Sequence, residues 1–166
     1  MYPTSYYIAL GTNVGNYRNN FSKAIVELKK IGNIFKVANI YKSKPYGYLK
    51  QNYFYNSMIH LKSDMLPNEL MKKIQLIEKK LQKNKRIING PRKIDLDIVF
   101  WDQKIFKNQN LVIPHPRSRE RDFVLLPLQD IAPFFRDPVT KLTIRELIKK
   151  LKDHYVIEKL SYRNLL

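Results

Sequence analysis

Apolar residues along this chain change their spacing several times, and each change marks an element. The run YYIALG, residues 6 to 11, is apolar and aromatic and stops at Gly11. TNVGN follows, mixing β-branched and turn-forming residues, so a first strand and a turn are predicted. From about Asn19, the residues Phe21, Ala24, Ile25, Leu28 and Ile31 recur at helical spacing, with Gly32 as the expected stop. Ile34 to Tyr41 is β-prone and ends in KSKPYGYLKQN, where Pro45 and Gly47 require a loop. Tyr53 to Lys62 alternates well enough for another strand, and Pro67 opens a helix with Leu70, Ile74, Ile77 and Leu81 on one face. Ile94 to Trp101 reads as a strand, and DQK followed by IF as a hairpin return. IPHPRSRERDF, residues 113 to 123, is expected to be irregular before the apolar VLLPL. Thr143 with Glu146 three residues on forms a capping box for a terminal helix through about Lys152. Paired strands between helices predict an α+β fold, a mixed or antiparallel sheet with helices packed on it.

A length of 166 residues suits one compact domain covering 1–166. No apolar run approaches the roughly 18 residues of a membrane span, and the N-terminus shows no signal-peptide pattern, so the expected compartment is the cytoplasm. With no cysteine, disulfides, thiolate metal sites and a cysteine nucleophile are excluded. Charge is the abnormal total: 31 Lys+Arg against 14 Asp+Glu give +17. An excess of that size favours an anionic partner, whether nucleic acid, a membrane surface or a small polyphosphate, although a lysine-rich solvated surface gives the same total.

The sharpest chemical feature is Asp95-x-Asp97 inside an apolar strand. Alternation places both carboxylates on one face, about 6.6 Å apart along the chain, with Ile94, Leu96, Ile98 and Phe100 on the other. Their repulsion is about 2 to 3 kcal/mol at an effective dielectric near 20, and burial adds to it. Something positive is needed beside them: Arg92 or Lys93, a divalent cation, or separate lysines at a sheet edge. Oxygen-only ligands without cysteine suit Mg²⁺, which commonly bridges to substrate phosphates. Two basic clusters flank the pair. From Lys79 to Lys93 there are seven basic residues and no acidic one, and Arg117, Arg119 and Arg121 lie with His115 further on. No Walker, dinucleotide-fingerprint or protein-kinase motif is present.

Taken in order, YIALGTNVGN, KPYGYLKQNYFYNS, GPRKIDLDI and IPHPRSRERDFVLLPLQDIAP resemble the 6-hydroxymethyl-7,8-dihydropterin pyrophosphokinases of folate biosynthesis, over nearly the whole chain. The resemblance implies a ferredoxin-like α/β/α sandwich with a mainly antiparallel sheet. It also implies transfer of pyrophosphate from ATP to the pterin hydroxymethyl group, releasing AMP. Asp95 and Asp97 match the pair that binds two Mg²⁺ ions and, with Arg92, are the catalytic candidates. Ser43, Pro45 and Tyr46 match the loop that meets the pterin, Asn56 the amide that reads its edge, and Phe54 and Phe123 the rings that sandwich it. Gln75, Glu78, Arg92, His115 and Arg121 match the ATP-binding positions. The implied partners are these two small molecules, with no nucleic acid and no membrane, acting on a monomer.

The chain departs from the family pattern in two places. Ile88-Asn89 stands where many members carry Arg-Trp before Gly-Pro-Arg, and Asn110 where some carry a basic residue. Lys83, Lys85 and Arg86 are then the groups left to meet phosphates, on a stretch from 79 to 93 expected to act as a mobile lid.

Overall fold

A computed structural model of the chain describes residues 2–82 and 90–162. In chain order these form β1 (Thr4–Thr12), α1 (Tyr17–Leu28), β2 (Asn33–Val37), β3 (Ile40–Ser43), β4 (Phe54–Ser63) and α2 (Pro67–Leu81). There follow β5 (Asp95–Trp101), β6 (Phe106–Lys107), β7 (Val112–Ile113), a 3-10 turn at Ser118–Glu120, α3 (Asp122–Ile131), α4 (Ile144–Lys149) and β8 (Val156–Leu160). The main sheet runs β5-β1-β4-β3-β8, with β2 pairing β4 beyond β3, and every pairing in it is antiparallel. The α+β reading and its mainly antiparallel sheet therefore hold.

Each sheet face carries its own core. On one, Phe21, Ala24, Ile25 and Leu28 of α1 and Leu70, Ile74 and Ile77 of α2 pack on Ile8, Leu61 and Leu96. On the other, Val124, Leu125, Leu128 and Ile131 of α3 and Ile144 and Leu147 of α4 pack on Tyr7, Met58 and Phe100. The result is three layers, α/β/α. Placement of Phe100 differs from strict alternation. The register of β5 on β1 slips between Ile8↔Ile98 and Tyr7↔Phe100, so Val99 is an extra residue. That bulge turns Phe100 onto the face of the two aspartates.

Three elements depart from expectation. Helix α1 begins at Tyr17, because the Asn16 side chain accepts the Asn19 N–H at 3.0 Å, and it ends at Leu28 rather than at Gly32. Gly32 serves another purpose: a Cβ there would lie 2.6 Å from the Lys62 carbonyl oxygen. Helix α3 forms across VLLPL despite the internal Pro127. A mid-helix proline costs roughly 3 kcal/mol, while each large apolar side chain buried on the sheet returns about 1.5 to 3 kcal/mol, so burial wins. The capping box at Thr143 and Glu146 forms as read, but α4 stops at Lys149. It is not terminal, because β8 follows and pairs with β3.

Arg119, counted above with a phosphate-binding cluster, is committed to the scaffold. Its guanidinium donates to both oxygens of Asp137, which is fully buried, through Nε and through Nη2 at 2.9 Å. Burial alone would raise the Asp137 carboxyl, but Arg119 and the Val139 and Thr140 N–H groups hold it below the usual range. A depressed carboxylate contributes stability that is present above its ordinary value of 3.8 and lost as pH falls through the lowered folded value. Arg119→Ala strands that charge and is expected to lose about 3 to 5 kcal/mol at neutral pH. Urea unfolding over a pH series checks this: the parent should lose stability on acidification more steeply than the variant, and parallel curves would contradict the assignment.

Candidate active site

Strand register brings the chemistry together. Gly11 on β1 lies opposite Asp95 of β5 on one side and Asn56 of β4 on the other, and Ala9 lies opposite Asp97 and Met58. Paired residues share a face, here the one packed by α3. Small residues at alternate β1 positions leave a hollow between the carboxylates and the amide. A Cβ at Gly11 would already touch Asn56 Oδ1 at 3.7 Å and Asp95 Cβ at 3.9 Å. Over this floor is a cavity of about 290 Å³. Ser43, Tyr46, Phe54 and Asn56 line one side; Arg92, Asp95, Asp97, His115, Arg121 and Phe123 line the other. The Asn56 amide donates to the Tyr41 carbonyl at 3.0 Å and to Ser43 Oγ at 2.9 Å. Its Oδ1 is left as the acceptor on the Gly11 side.

Electrostatics within this cavity are unbalanced. Burial first, then the neighbouring Asp95 and Glu78, push the Asp97 carboxyl well above the usual carboxylate range, against the pull of Arg121 and Arg92. Neither arginine closes the gap. Arg92 Nε lies 3.3 Å from Asp95 Oδ2 without hydrogen-bond geometry, and the buried Nε groups of Arg92 and Arg121 have no hydrogen-bond partner. Both guanidiniums rest on aromatic rings instead. Arg92 sits 5.1 Å from the centre of Phe54, and Arg121 sits 4.7 Å from Tyr46 and 5.7 Å from Phe123. Burial, and next Arg121, lower the pKa of His115, favouring neutral imidazole. Its Nδ1 accepts from the Arg117 N–H at 3.2 Å, which leaves the ring proton on Nε2.

A cation fits here on the chemistry of the donors. Two carboxylates share one strand face, a third carboxylate adds to their charge, and the nearby arginines leave Asp97 hard to ionise. Hard oxygen donors match Mg²⁺. Among the described residues there is no group of three or more His, Cys, Asp or Glu able to hold a metal. Asp95 and Asp97 would hold such an ion, and Mg²⁺ commonly completes its shell with water and substrate phosphate oxygens.

Other sequence-derived candidates lie elsewhere. Pro45 belongs to the same loop as Tyr46 without lining the cavity, and Gln75 is exposed on α2. Glu78 is buried, and its Oε1 accepts the Leu96 N–H at 2.8 Å, between the two aspartates. Gln82 donates to the Ile94 carbonyl, so the end of α2 grips the edge of β5. Lys93 lines a separate hollow with Lys23 and Lys80. Arg117 is exposed, 5.2 Å from the Tyr46 ring. Lys83, Lys85 and Arg86 lie outside the described residues, as does the middle of the expected lid, 83–89.

Asn13 went unnoticed in the sequence and is central. Buried at the end of β1, its side chain donates to Gln51 Oε1 at 2.9 Å and to the Asn52 carbonyl at 3.2 Å. It accepts the Arg92 N–H at 2.9 Å, and its own N–H meets the Arg92 carbonyl at 3.1 Å. One amide thus ties the 44–53 loop to the approach of β5. The signal was an Asn placed just past a strand end, which reads equally as a turn former. Asn13→Ala is expected to cost about 1 to 3 kcal/mol and to loosen that loop. Tryptic cleavage after Lys50 should accelerate several-fold in the folded variant, and unchanged cleavage there would contradict the tie.

Fold and cavity together define a three-layer domain that presents aromatic rings and a fixed amide beside paired carboxylates and two arginines whose buried Nε groups lack hydrogen-bond partners. The family model for 7,8-dihydro-6-hydroxymethylpterin-pyrophosphokinase (HPPK) matches residues 7–133. A pyrophosphokinase of that substrate from Aquifex aeolicus is 35% identical over 140 residues, covering 84% of this chain and 88% of the relative. The Bacillus subtilis enzyme is 37% identical over 127 residues, covering 75% and 76% respectively. The Folic acid synthesis protein fol1 of Pneumocystis carinii is 43% identical over 149 residues, 89% of this chain. The chain spans only 20% of that relative's length. A crystal structure of Plasmodium falciparum HPPK-DHPS superposes with a TM-score of 0.73 at 18% identity, covering 89% of this chain and 45% of that one, which bears on the fold. The chain belongs to the HPPK family.

Proposed function

We propose that the chain transfers the β,γ-diphosphoryl group of ATP to the hydroxymethyl oxygen of 6-hydroxymethyl-7,8-dihydropterin, with AMP as the leaving product. One observation carries this reading beyond family membership: two buried arginine Nε groups without hydrogen-bond partners line the same ring-bearing cavity as the paired carboxylates. Such an arrangement suits a ligand that joins a flat heterocycle to phosphate. The pterin ring lies against Phe54 and Phe123, with Ser43, Pro45 and Tyr46 at its side. Asn56, its NH₂ group already committed, offers Oδ1 to a ring N–H.

The hydroxymethyl oxygen bonds to the β-phosphorus as the bond from that phosphorus to the α,β-bridging oxygen breaks, and the hydroxyl proton is released. Arg92 and Arg121 leave their ring faces to donate to phosphate oxygens, and neutral His115 donates from Nε2. Gln75 and Glu78 are the further ATP candidates by resemblance, with Glu78 acting through its bond to the Leu96 N–H, and Lys83 and Lys85 are candidates in place of the family's missing arginine. Asp95 and Asp97 would hold two Mg²⁺ ions, which when bound neutralise the triphosphate and polarise its phosphoryl oxygens. In this reading no protein group is acylated or phosphorylated, and catalysis rests on positioning and charge. The reading takes the chain as a monomer acting in the cytoplasm on two small molecules. Among the described residues no helix is long and apolar enough to cross a membrane.

Incubation with Mg-ATP and the reduced pterin tests the proposal. AMP should appear in step with the pterin diphosphate, and formation of ADP would overturn the reaction class. Asp97→Asn should lower kcat by about 10² to 10³-fold in a folded protein. Chelation should abolish turnover and added Mg²⁺ restore it; a variant or a chelated enzyme with near-parental turnover would remove the two-carboxylate site from the mechanism.

A further inference from the structure

Residues beyond 133 lie outside the stretch matched by the family model, yet part of that tail reaches both walls of the ring pocket. Strand β8 pairs with β3, bringing Val156 opposite Ser43. Just before it, the Tyr155 carbonyl accepts the Lys44 N–H at 2.9 Å, on the loop that carries Tyr46. The Tyr155 and Val156 N–H groups donate to Asp122 Oδ2 at 2.7 and 2.9 Å. Asp122 is 2% exposed and begins α3, between Arg121 and Phe123. One dipeptide is therefore bonded to the 43–46 wall and to the 121–123 wall at once.

Its side chain does the same. The Tyr155 ring meets Tyr46 at 5.5 Å and 67°, and meets Phe123 at 5.8 Å and 86°. Tyr46 and Phe123 are themselves 6.2 Å apart at 57°. Three rings thus contact one another pairwise in tilted or edge-to-face geometry, the arrangement their quadrupoles favour. Tyr155 does not line the cavity; Tyr46 and Phe123 do.

We propose that Tyr155 is a positioning residue for the ring pocket: it braces Tyr46 and Phe123 from outside the cavity, so the C-terminal strand sets how firmly a flat heterocycle is held. This rests on the reading of the cavity as the dihydropterin site. Without the brace, both rings gain rotamer freedom that must be given up again when the ligand stacks, which weakens pterin binding; phosphate binding is spared because Arg121, which rests on these rings, leaves them to meet phosphate. The Tyr155 hydroxyl has no part in the brace, so phenylalanine should replace it.

The test compares Tyr155→Ala and Tyr155→Phe with the parent by steady-state AMP formation and by calorimetric titration of the dihydropterin in the presence of a non-hydrolysable ATP analogue. Tyr155→Ala should raise KM and Kd for the pterin about five- to tenfold, the loss of two ring contacts, with KM for ATP and kcat within about twofold. Tyr155→Phe should restore parental values. An unchanged pterin Kd, a parallel rise in KM for ATP, or failure of phenylalanine to rescue would each overturn the brace. Should alanine unfold the strand, Tyr155→Leu keeps the backbone bonds and most of the buried area, and the same shift is expected. A parent that binds the pterin but forms no AMP would end the proposed reaction while the titration still decides the role of Tyr155. A parent that does not bind the pterin ends both.

Discussion

Repulsion between Asp95 and Asp97 is the constraint to which the rest of the site answers. Two carboxylates on one strand face cost about 2 to 3 kcal/mol in mutual repulsion at an effective dielectric near 20, before desolvation is added. Burial and the further charge of Glu78 act in the same direction, and the proton affinity of Asp97 rises accordingly. A fold concerned only with stability would have set a guanidinium squarely between them. Here the arginines stop short. Arg92 approaches Asp95 without bonding through Nε, and Arg121 lies on two rings. Both keep a buried Nε without a hydrogen-bond partner, so negative and positive groups stand close together in one cavity without hydrogen bonds through those atoms.

The sheet makes that arrangement possible. Strand β1 lies between β4 and β5, so its side chains set the gap between the Asn56 amide and the carboxylates. Its inward face on the helix α1 and α2 side is filled by Ile8 and Leu10, while Ala9 and Gly11 on the other side leave room. Helix α3 closes only part of this second face. It starts at Asp122, and the residues just before it, His115 and Arg121, stand at the cavity rather than over a core. The edge of β5 is held without covering the pocket, because Glu78 and Gln82 reach its Leu96 N–H and Ile94 carbonyl from α2.

Local patterns were legible where one physical rule dominated. The capping box at Thr143, the apolar stripe of α2 and the shared face of Asp95 and Asp97 each follow from short-range geometry, and each is found in place. Features set by distant partners were not. Helix α3 was hidden because Pro127 argues against a helix while the sheet that stabilises it is remote in sequence. Strand β8, VIEKL, carries no clear alternation, since much of it is exposed at the edge and its pairing with β3 is what makes it a strand. The bulge at Val99 reversed the side on which Phe100 falls, and nothing in IDLDIVFW marks it. Charge alone grouped Arg119 with Arg117 and Arg121 and could not set it apart, because its partner Asp137 is 18 residues away. Charge type is visible in a sequence; which opposite charge is buried beside it is a property of packing.

The same distinction accounts for part of the large basic excess. Among the described residues only a few cations line the cavity, so phosphate chemistry there accounts for a small part of the +17 balance. Two lysines instead lie over aromatic rings outside its lining: Lys62 is 4.7 Å from Phe35 and Lys104 is 4.4 Å from Trp101. Phe35 is 57% exposed, and a chain with 12% aromatic residues in 166 cannot hide every ring in two thin cores. A lysine stem covers apolar surface while its ammonium stays in water and is drawn to the ring face, for about 0.5 to 1 kcal/mol at exposed sites. Acidic residues could not do this, because a carboxylate is repelled by the same face. Aromatic surface in this small sandwich thus favours lysine at these positions independently of any anionic ligand, which is why composition pointed equally to nucleic acid, membrane and nucleotide, and why only the arrangement around Asp95 and Asp97 separates them.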